Sequence, residues 1–303
     1  MKIAIIGAGA MGGLFSAYLS TKNEVTVIDV NKELIDKLNK SGLSVEEADG
    51  KSSIYRPNAT ADASNMEAVD LIILFVKSMY SESALYNNRN IIDKNTFLLT
   101  LQNGSGHEAV LSKFCDNEHI VIGTTQHNAA ITALGAIRHG GSGKTVIGCL
   151  SGDSVRVKHI ADVFSSCNIP CAYSDEVQKM IWDKLFTNVC VSALTGALQV
   201  PMGYIAENAN AWAACCQLAK EAVDVAAVMG MTFSYDEKIA EMKALCTKNC
   251  GGLTSIYADL RDGRRTEVDT ISGSVVRAGE KYNIATPTHS FLVNLIHAME
   301  GKS

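Results

Sequence analysis

The start of the chain places an apolar run, a glycine turn and a helical pattern in direct succession. Ile3–Ile6 is the apolar run, and it enters the turn Gly7-Ala8-Gly9-Ala10-Met11-Gly12. A second apolar run, Val25–Ile28, is followed by Asp29, twenty residues beyond Gly9. Strand, Gly-x-Gly-x-x-Gly turn, helix, strand and acid in this order predict the first βαβ unit of a parallel sheet.

The residue types of this unit fit a dinucleotide. Gly7 permits the tight turn, Gly9 lets a pyrophosphate approach the backbone, and Gly12 lets the helix pack against the strand. The amide groups and the positive dipole end of the helix then face the phosphates. The carboxylate of Asp29 is placed to accept hydrogen bonds from a ribose diol. The predicted cofactor-binding turn comprises Gly7, Ala8, Gly9, Ala10, Met11 and Gly12.

Length and composition indicate a compact protein with more than one core. The 303 residues exceed one typical core, so we expect two domains. A hydrophobic content of 47% with 19% charged residues argues against disorder, and a formal net charge of −5 gives no electrostatic footprint for nucleic acid or an anionic membrane. No apolar stretch approaches the ~20 residues of a membrane span, and the chain opens on a strand, so we expect a cytoplasmic protein without a signal peptide.

The chain has nine cysteines, and most lie inside apolar helical patterns. Cys190, Cys215, Cys216 and Cys246 are of this kind, which favours small core side chains in a reducing compartment. Two pairs of cysteines are closely spaced, Cys167 with Cys171 and Cys246 with Cys250. Neither pair has His or further Cys at metal-ligand spacing. We therefore expect no metal site.

The pattern of elements changes near residue 173. Before it, apolar β-runs alternate with helical stretches; after it, strand signals vanish and segments with a 3.6-residue period follow. We expect an α/β fold, with an N-terminal Rossmann-type doubly wound sheet over residues 1–173 and an all-helical C-terminal domain over residues 174–303. Two runs are expected to add to the sheet as late antiparallel strands: Gly135–Arg138 and Thr145–Gly148. The predicted C-terminal helices are Val177–Leu198, Ala209–Met229, Tyr235–Thr247, Glu267–Tyr282 and His289–Met299.

A polar stripe on the first of these helices could supply a proton donor. Lys184, Asn188 and Ser192 are four residues apart, so each advances only about 40° around an α-helix. Trp182, Leu185 and Phe186 are apolar enough to desolvate an ammonium group. A solvated helix face is the alternative, but the apolar flanks favour a functional group, because a nicotinamide enzyme needs a proton donor beside the carbonyl that it reduces.

A second polar segment, Ser255–Asp269, permits two interpretations from spacing alone. Its acids and arginines could form a charged loop, with Thr266 as the N-cap of the next helix and Asp269 as the capping acid. They could equally contribute to a binding site. Residue spacing does not choose between these.

In combination, these motifs resemble the ketopantoate reductases, also called 2-dehydropantoate 2-reductases. The resemblance rests on Gly7–Gly12, Val76-Lys77, Gln102-Asn103-Gly104, Trp182-x-Lys184-Leu185-x-x-Asn188, Ser255-x-x-x-Asp259, Arg265–Asp269 and Gly279–Pro287. It implies catalysis in a cleft between the two domains, reduction of a 2-oxo acid, and a place in pantothenate biosynthesis. The Asn103–Glu108 run and the Gly279–Pro287 stretch look especially like an NAD-dependent branch, the D-2-hydroxyacid dehydrogenases of the D-mandelate type.

The resemblance also implies roles for individual residues. Lys184 is the implied general acid and Glu267 positions the substrate near it. Asn188 and Ser255 hold the substrate carboxylate and hydroxyl, with Ser192 where the family often has asparagine. The remaining implied contacts are Asn103, between substrate and nicotinamide, and Lys77, near the cofactor.

The residues after the second strand predict the cofactor. NADP-dependent members of the family usually have a basic residue there, whereas this chain has Asp29-Val30-Asn31-Lys32. A carboxylate accepts a diol and repels a 2′-phosphate, so we expect NAD rather than NADP. The expected partners are a small 2-oxo acid and a second copy of the chain in a homodimer. Two alternatives remain: a non-catalytic dinucleotide-binding sensor, and a β-hydroxyacid or opine dehydrogenase of the same architecture.

Overall fold

The computed structural model describes residues 1–152 and 154–301, and these divide into two compact units. The first unit contains residues 1–102 and 107–178; the second contains residues 103–106 and the chain from Lys179 onward. The four residues Asn103–Gly106 therefore belong with the helical unit, although both of their flanking segments belong to the first.

Twelve strands form two sheets among the described residues of the first unit. Their bounds are β1 (Lys2–Ile6), β2 (Glu24–Ile28), β3 (Leu43–Glu46), β4 (Ser52–Tyr55), β5 (Asn58–Thr60), β6 (Leu71–Leu74), β7 (Phe97–Thr100), β8 (Ile120–Thr125), β9 (Asn128–Ala133), β10 (Ala136–Gly141), β11 (Thr145–Cys149) and β12 (Cys171–Tyr173). The main sheet has eight strands in the order β12-β11-β8-β7-β6-β1-β2-β5. Only the β8–β11 pair in it is antiparallel, as expected of a late addition. The α/β fold class predicted from the sequence is confirmed.

A smaller four-stranded sheet, in the order β4-β3-β10-β9, was not predicted. The expectation that Gly135–Arg138 adds to the main sheet is wrong, because β10 pairs with β3 and β9 instead. The outer strands β4 and β9 are largely exposed and therefore lack the alternation of buried and exposed residues that marks a strand.

Helices of the first unit flank these sheets. Their bounds are α1 (Ala10–Leu19), α2 (Lys32–Ser41), α3 (Ser81–Asn87), α4 (Glu108–Leu111) and α5 (Ser154–Ser166). The first helix, α1, packs against β1 and β2 of the main sheet and against β3, β9 and β10 of the small one. Phe15 of α1 is fully buried and contacts the rings of Phe75 and Phe164, which fixes the helix that follows the glycine turn.

The second unit is helical around its own apolar core. Its helices are α6 (Val177–Thr187, beginning at the end of the first unit), α7 (Ala193–Leu198), α8 (Met202–Glu207), α9 (Ala209–Val228), α10 (Tyr235–Lys248), α11 (Ser255–Arg261), α12 (Ser272–Tyr282) and α13 (Pro287–Glu300). Buried Glu221 of α9 accepts hydrogen bonds from the first amides of α13, at Thr288 and His289. Cys190, Cys215 and Cys246 are buried in this core, whereas Cys216 is partly exposed.

Two of the predicted helices differ from the structure. The Val177–Leu198 segment is interrupted by a π-helical turn at Asn188–Ser192, which joins α6 to α7. The predicted Glu267–Tyr282 helix begins only at Ser272, because the preceding residues form a turn in which the amide of Thr270 bonds to the carbonyl of Glu267. Among the described residues, no helix is both long and apolar enough to cross a membrane, and no cluster of His, Cys, Asp and Glu could hold a metal ion.

Candidate active site

The glycine turn has the geometry that a dinucleotide requires. Gly7 has a φ of +102°, and a Cβ there would lie 2.7 Å from the amide nitrogen of Val76. A Cβ on Gly12 would overlap the carbonyl oxygen of Gly7. Gly9 differs, because a Cβ there would meet no protein atom within 4 Å. The turn is thus packed at its two outer glycines and open at the central one, where a pyrophosphate must approach the backbone.

Asp29 lies at the carboxyl end of β2 and is tied to this turn. Its Oδ2 accepts a 2.7 Å hydrogen bond from the amide of Ala8, and its Oδ1 accepts a 2.9 Å bond from the amide of Asn31. The carboxylate is therefore held in place by two backbone donors. Because two carboxylate oxygens offer about four lone-pair sites, capacity remains for a ribose diol.

Lys77 lies just beyond the carboxyl end of β6. The preceding carbonyl, of Val76, accepts a 2.6 Å hydrogen bond from Nε2 of Gln102, which follows β7. The order β6-β1-β2 in the parallel sheet places Lys77, the glycine turn and Asp29 after three adjacent strands. Ligands of open α/β sheets bind at this edge. The arrangement fits a dinucleotide held by the first unit.

In the second unit, Lys184 and Asn103 meet. The Nζ of Lys184 on α6 donates a 3.0 Å hydrogen bond to Oδ1 of Asn103. Burial lowers the pKa of the Lys184 ammonium group. Trp182, Leu185 and Phe186 beside it are buried, as the sequence suggested. An ammonium group with a lowered pKa, held by a hydrogen bond to an amide oxygen, is suited to donate a proton.

The π-helical turn changes the predicted polar stripe. Its i→i+5 spacing widens the turn, so Asn188 and Ser192 do not follow Lys184 at the constant 40° step of an α-helix. Asn188 is half-buried and Ser192 is buried. Turns of this kind occur frequently at functional sites, and no single-sequence period indicates them.

Ser255 is the first residue of α11 and is exposed. The preceding Thr254 caps the helix, accepting from the amide of Tyr257, and its hydroxyl lies 2.8 Å from that of Thr195 in α7. Thr254 also donates to the carbonyl of Ser192. These bonds of Thr254 attach the start of α11 to the π-helical turn that contains Ser192, whereas Ser255 itself is exposed.

Glu267 lies in the turn between α11 and α12 and is half-buried. Thr266 anchors this turn, since its amide and its hydroxyl donate to Oε1 of Glu300 at 2.8 and 2.6 Å. The interpretation of Thr266 as the N-cap of the next helix is therefore wrong: its hydroxyl accepts from the amide of Val268, within the turn. Glu300, near the end of the chain, was not singled out in the sequence.

Comparison with known proteins assigns the family. A model described as ketopantoate reductase PanE/ApbA matches residues 3–152, and the model of its C-terminal part matches residues 176–300. The chain belongs to the ketopantoate reductase family. The resemblance stated from the motifs is confirmed, and as a member of this family the protein is an NAD(P)-dependent oxidoreductase acting on a CH–OH group.

Full-length relatives agree with this assignment. A 2-dehydropantoate 2-reductase from Halobacterium salinarum is 30% identical, covering 98% of both chains, and one from Lactococcus lactis is 32% identical over 99% of this chain and 98% of its own. A structure of D-mandelate dehydrogenase with NADH and anilino(oxo)acetate has a TM-score of 0.91 and 34% identity, covering 99% of both chains. A ketopantoate reductase of this family from Ralstonia eutropha has a TM-score of 0.90 and 26% identity, covering 100% of this chain and 99% of its own.

Proposed function

We propose that this member of the ketopantoate reductase family reduces a branched 2-oxo acid to the D-2-hydroxy acid, with ketopantoate to pantoate as the leading reaction. The observation that carries the proposal is the hydrogen bond from the half-buried Lys184 ammonium group to Asn103. Family membership and the 2-dehydropantoate 2-reductases among its relatives support the substrate class. The proposal includes a role in pantothenate biosynthesis. It also includes a cytoplasmic location and assembly as a homodimer, and light scattering would measure the number of subunits.

The reaction adds a hydride to C2 and a proton to the carbonyl oxygen of the substrate. Bound NADH supplies the hydride. Lys184 donates the proton, and its lowered pKa brings the donor closer to neutral pH, where proton transfer is most efficient. Asn103 orients the Lys184 ammonium group through its Oδ1. In this proposal Glu267 bonds a substrate hydroxyl, while the carboxylate end of the substrate is held by Asn188, Ser192 and Ser255.

NADH is the proposed reductant in preference to NADPH. Asp29 is fixed by two backbone amides, so its carboxylate would remain next to a 2′-phosphate. At an effective dielectric constant near 20, like charges ~4 Å apart repel by about 4 kcal/mol. Two solved structures of D-mandelate dehydrogenase, 34% and 33% identical to this chain, contain NADH. Comparing kcat/KM for NADH and NADPH tests this preference, and a higher value with NADPH would contradict it.

A substrate panel tests the reaction. The oxidation of NADH and NADPH is followed with ketopantoate, 2-oxoisovalerate, 2-oxoisocaproate and benzoylformate. Turnover with at least one of these acids is expected, and saturation by ketopantoate alone would support the pantothenate role. Tight NADH binding without turnover on any of them would instead indicate a non-catalytic sensor, and NADH oxidation that requires an added amine would indicate an opine dehydrogenase.

A D-2-hydroxyacid dehydrogenase of the D-mandelate type is the second candidate. The 34% identity to D-mandelate dehydrogenase, seen in complex with anilino(oxo)acetate, favours it. Ser192 also stands where ketopantoate reductases often have a longer asparagine, which would leave room for a bulkier group on the substrate. A kcat/KM for benzoylformate above that for ketopantoate would select this candidate.

A further inference from the structure

The loop that carries Asn103 is attached to the turn that carries Glu267. Asn103–Gly106 belongs with the second unit, and the amide of Ser105 donates a 2.9 Å hydrogen bond to the carbonyl of Thr270. The Thr270 hydroxyl donates toward the carbonyls of Glu267, at 3.2 Å, and Asn103, at 3.4 Å. Thr270 thus connects two segments that lie far apart in the sequence.

Gly104 permits this attachment. Its φ is +103°, and a Cβ there would overlap the carbonyl group of Thr270. Gly106, two residues on, has a similar φ of +89°, but a Cβ there would meet only Nη2 of Arg277, at an ordinary 3.6 Å. Both glycines therefore have a left-handed backbone conformation with positive φ, but of the two only Gly104 lies too close to Thr270 for a side chain to fit.

We propose that the contact between Gly104 and Thr270 positions Asn103 against Lys184. Asn103 directly precedes Gly104, and its Oδ1 is the acceptor for the Lys184 ammonium group. Moving the loop away from Thr270 moves that acceptor, and the proton donor loses its orientation. The inference rests on the proposed function, because it assigns the contact a role in proton transfer from Lys184. Gly104 and Thr270 are positioning residues, which act through Asn103.

A matched pair of variants tests the contact. Gly104→Ala and Gly106→Ala both force a side chain into a left-handed backbone conformation, but only Gly104→Ala displaces the Thr270 carbonyl. We expect Gly104→Ala to lower kcat by about 10²-fold, the effect of a displacement near 1 Å, and to change the Kd for NADH by a much smaller factor. Gly106→Ala should lose far less activity. Thermal unfolding of both variants checks that each remains folded at the assay temperature.

A double-mutant cycle separates positioning from a general structural effect. If Gly104 acts through Asn103, Gly104→Ala lowers kcat in the native background and has no further effect in an Asn103→Ala background. Equal kcat losses in the two backgrounds, or equal losses for the Gly104 and Gly106 variants, would overturn the inference while leaving activity of the native enzyme, and thus the proposed function, intact.

Hydrogen exchange at the Ser105 amide gives a second readout that needs no turnover. The amide should exchange faster in Gly104→Ala than in the native protein, and at the native rate in Gly106→Ala, because only the first loses the bond to Thr270. Unchanged exchange in Gly104→Ala would show that the loop is not held by this contact. If the native protein lacks activity on every 2-oxo acid, the proposed function is wrong. The role of the Gly104–Thr270 contact in proton transfer is then wrong as well, whatever the hydrogen exchange shows.

Discussion

The carboxylate of Asp29 accepts a hydrogen bond from the amide of Ala8, so the acid after β2 and the glycine turn after β1 form one structural unit. A second backbone bond, from Asn31, holds its other oxygen. The acid is therefore a fixed part of the turn. In the proposed cofactor site, its charge would not move away from a 2′-phosphate without breaking these bonds.

Asp29→Asn should shift cofactor preference toward NADPH. Asparagine keeps an oxygen for the Ala8 amide but removes the charge, so the ratio of kcat/KM for NADPH to that for NADH should rise about tenfold or more, which corresponds to 1.4 kcal/mol. Asp36→Asn, in the exposed part of α2, makes the same change of net charge as a control. An equal change of this kcat/KM ratio in both variants would show that the cofactor preference depends on the net charge of the protein and not on Asp29.

Alanine at Gly9 should weaken NADH binding, whereas alanine at Gly12 should destabilise the fold. At Gly9 the new methyl group meets no protein atom within 4 Å, but in the proposed cofactor site it would occupy the space of the pyrophosphate. We expect a normal melting temperature and a large rise in the Kd for NADH. At Gly12 the methyl group overlaps the carbonyl oxygen of Gly7, so the melting temperature itself should fall. Calorimetry and NADH fluorescence titration measure both; unchanged NADH affinity in Gly9→Ala would contradict the assigned turn.

The lowered pKa of Lys184 predicts an alkaline limb in the rate of reduction. The general acid must carry its proton, so kcat should fall as pH rises through a pKa below the ordinary lysine value of 10.5. Oxidation of the hydroxy acid, which needs the neutral amine, should show the opposite slope. Arginine stays protonated throughout this range, so Lys184→Arg should abolish the limb in whatever activity remains. If the alkaline fall in kcat persists in Lys184→Arg, a titratable group other than Lys184 causes it.

Local patterns in the sequence were enough to predict the fold class and the glycine turn with Asp29. The signals there lie within one βαβ unit, where residue order sets geometry. The π-helical turn at Asn188–Ser192 was missed because a 3.6-residue period fits the same residues. Thr270 and Glu300 were missed for a different reason: each acts through a partner that is remote in sequence and is brought near by tertiary packing alone.

His289 should make the protein less stable as pH falls. Its Nε2 bonds to the carbonyl of Leu218, its Nδ1 has no hydrogen-bond partner among the described residues, and burial lowers its pKa to about 4. Between that value and the unfolded pKa near 6.5, the unfolded state binds more protons, so stability decreases as pH falls. The loss across this range is on the order of 3 kcal/mol.

Urea unfolding between about pH 7 and pH 4 measures this loss. His289→Asn removes the titrating group and should flatten the dependence of unfolding free energy on pH, whatever its effect at pH 7. His159→Asn, at an exposed position of α5, is the control and should retain the native slope. An unchanged slope in His289→Asn would assign the acid sensitivity elsewhere.

The turnover of Lys184→Ala with the best 2-oxo acid of the panel tests most directly whether Lys184 donates the proton. Lys179→Ala removes an exposed lysine from the same helix and serves as the control. We predict that kcat falls by about 10²–10⁴-fold in Lys184→Ala while the Kd for NADH stays near the native value, and that Lys179→Ala is native in both. Native-like turnover by Lys184→Ala would show that another group donates the proton.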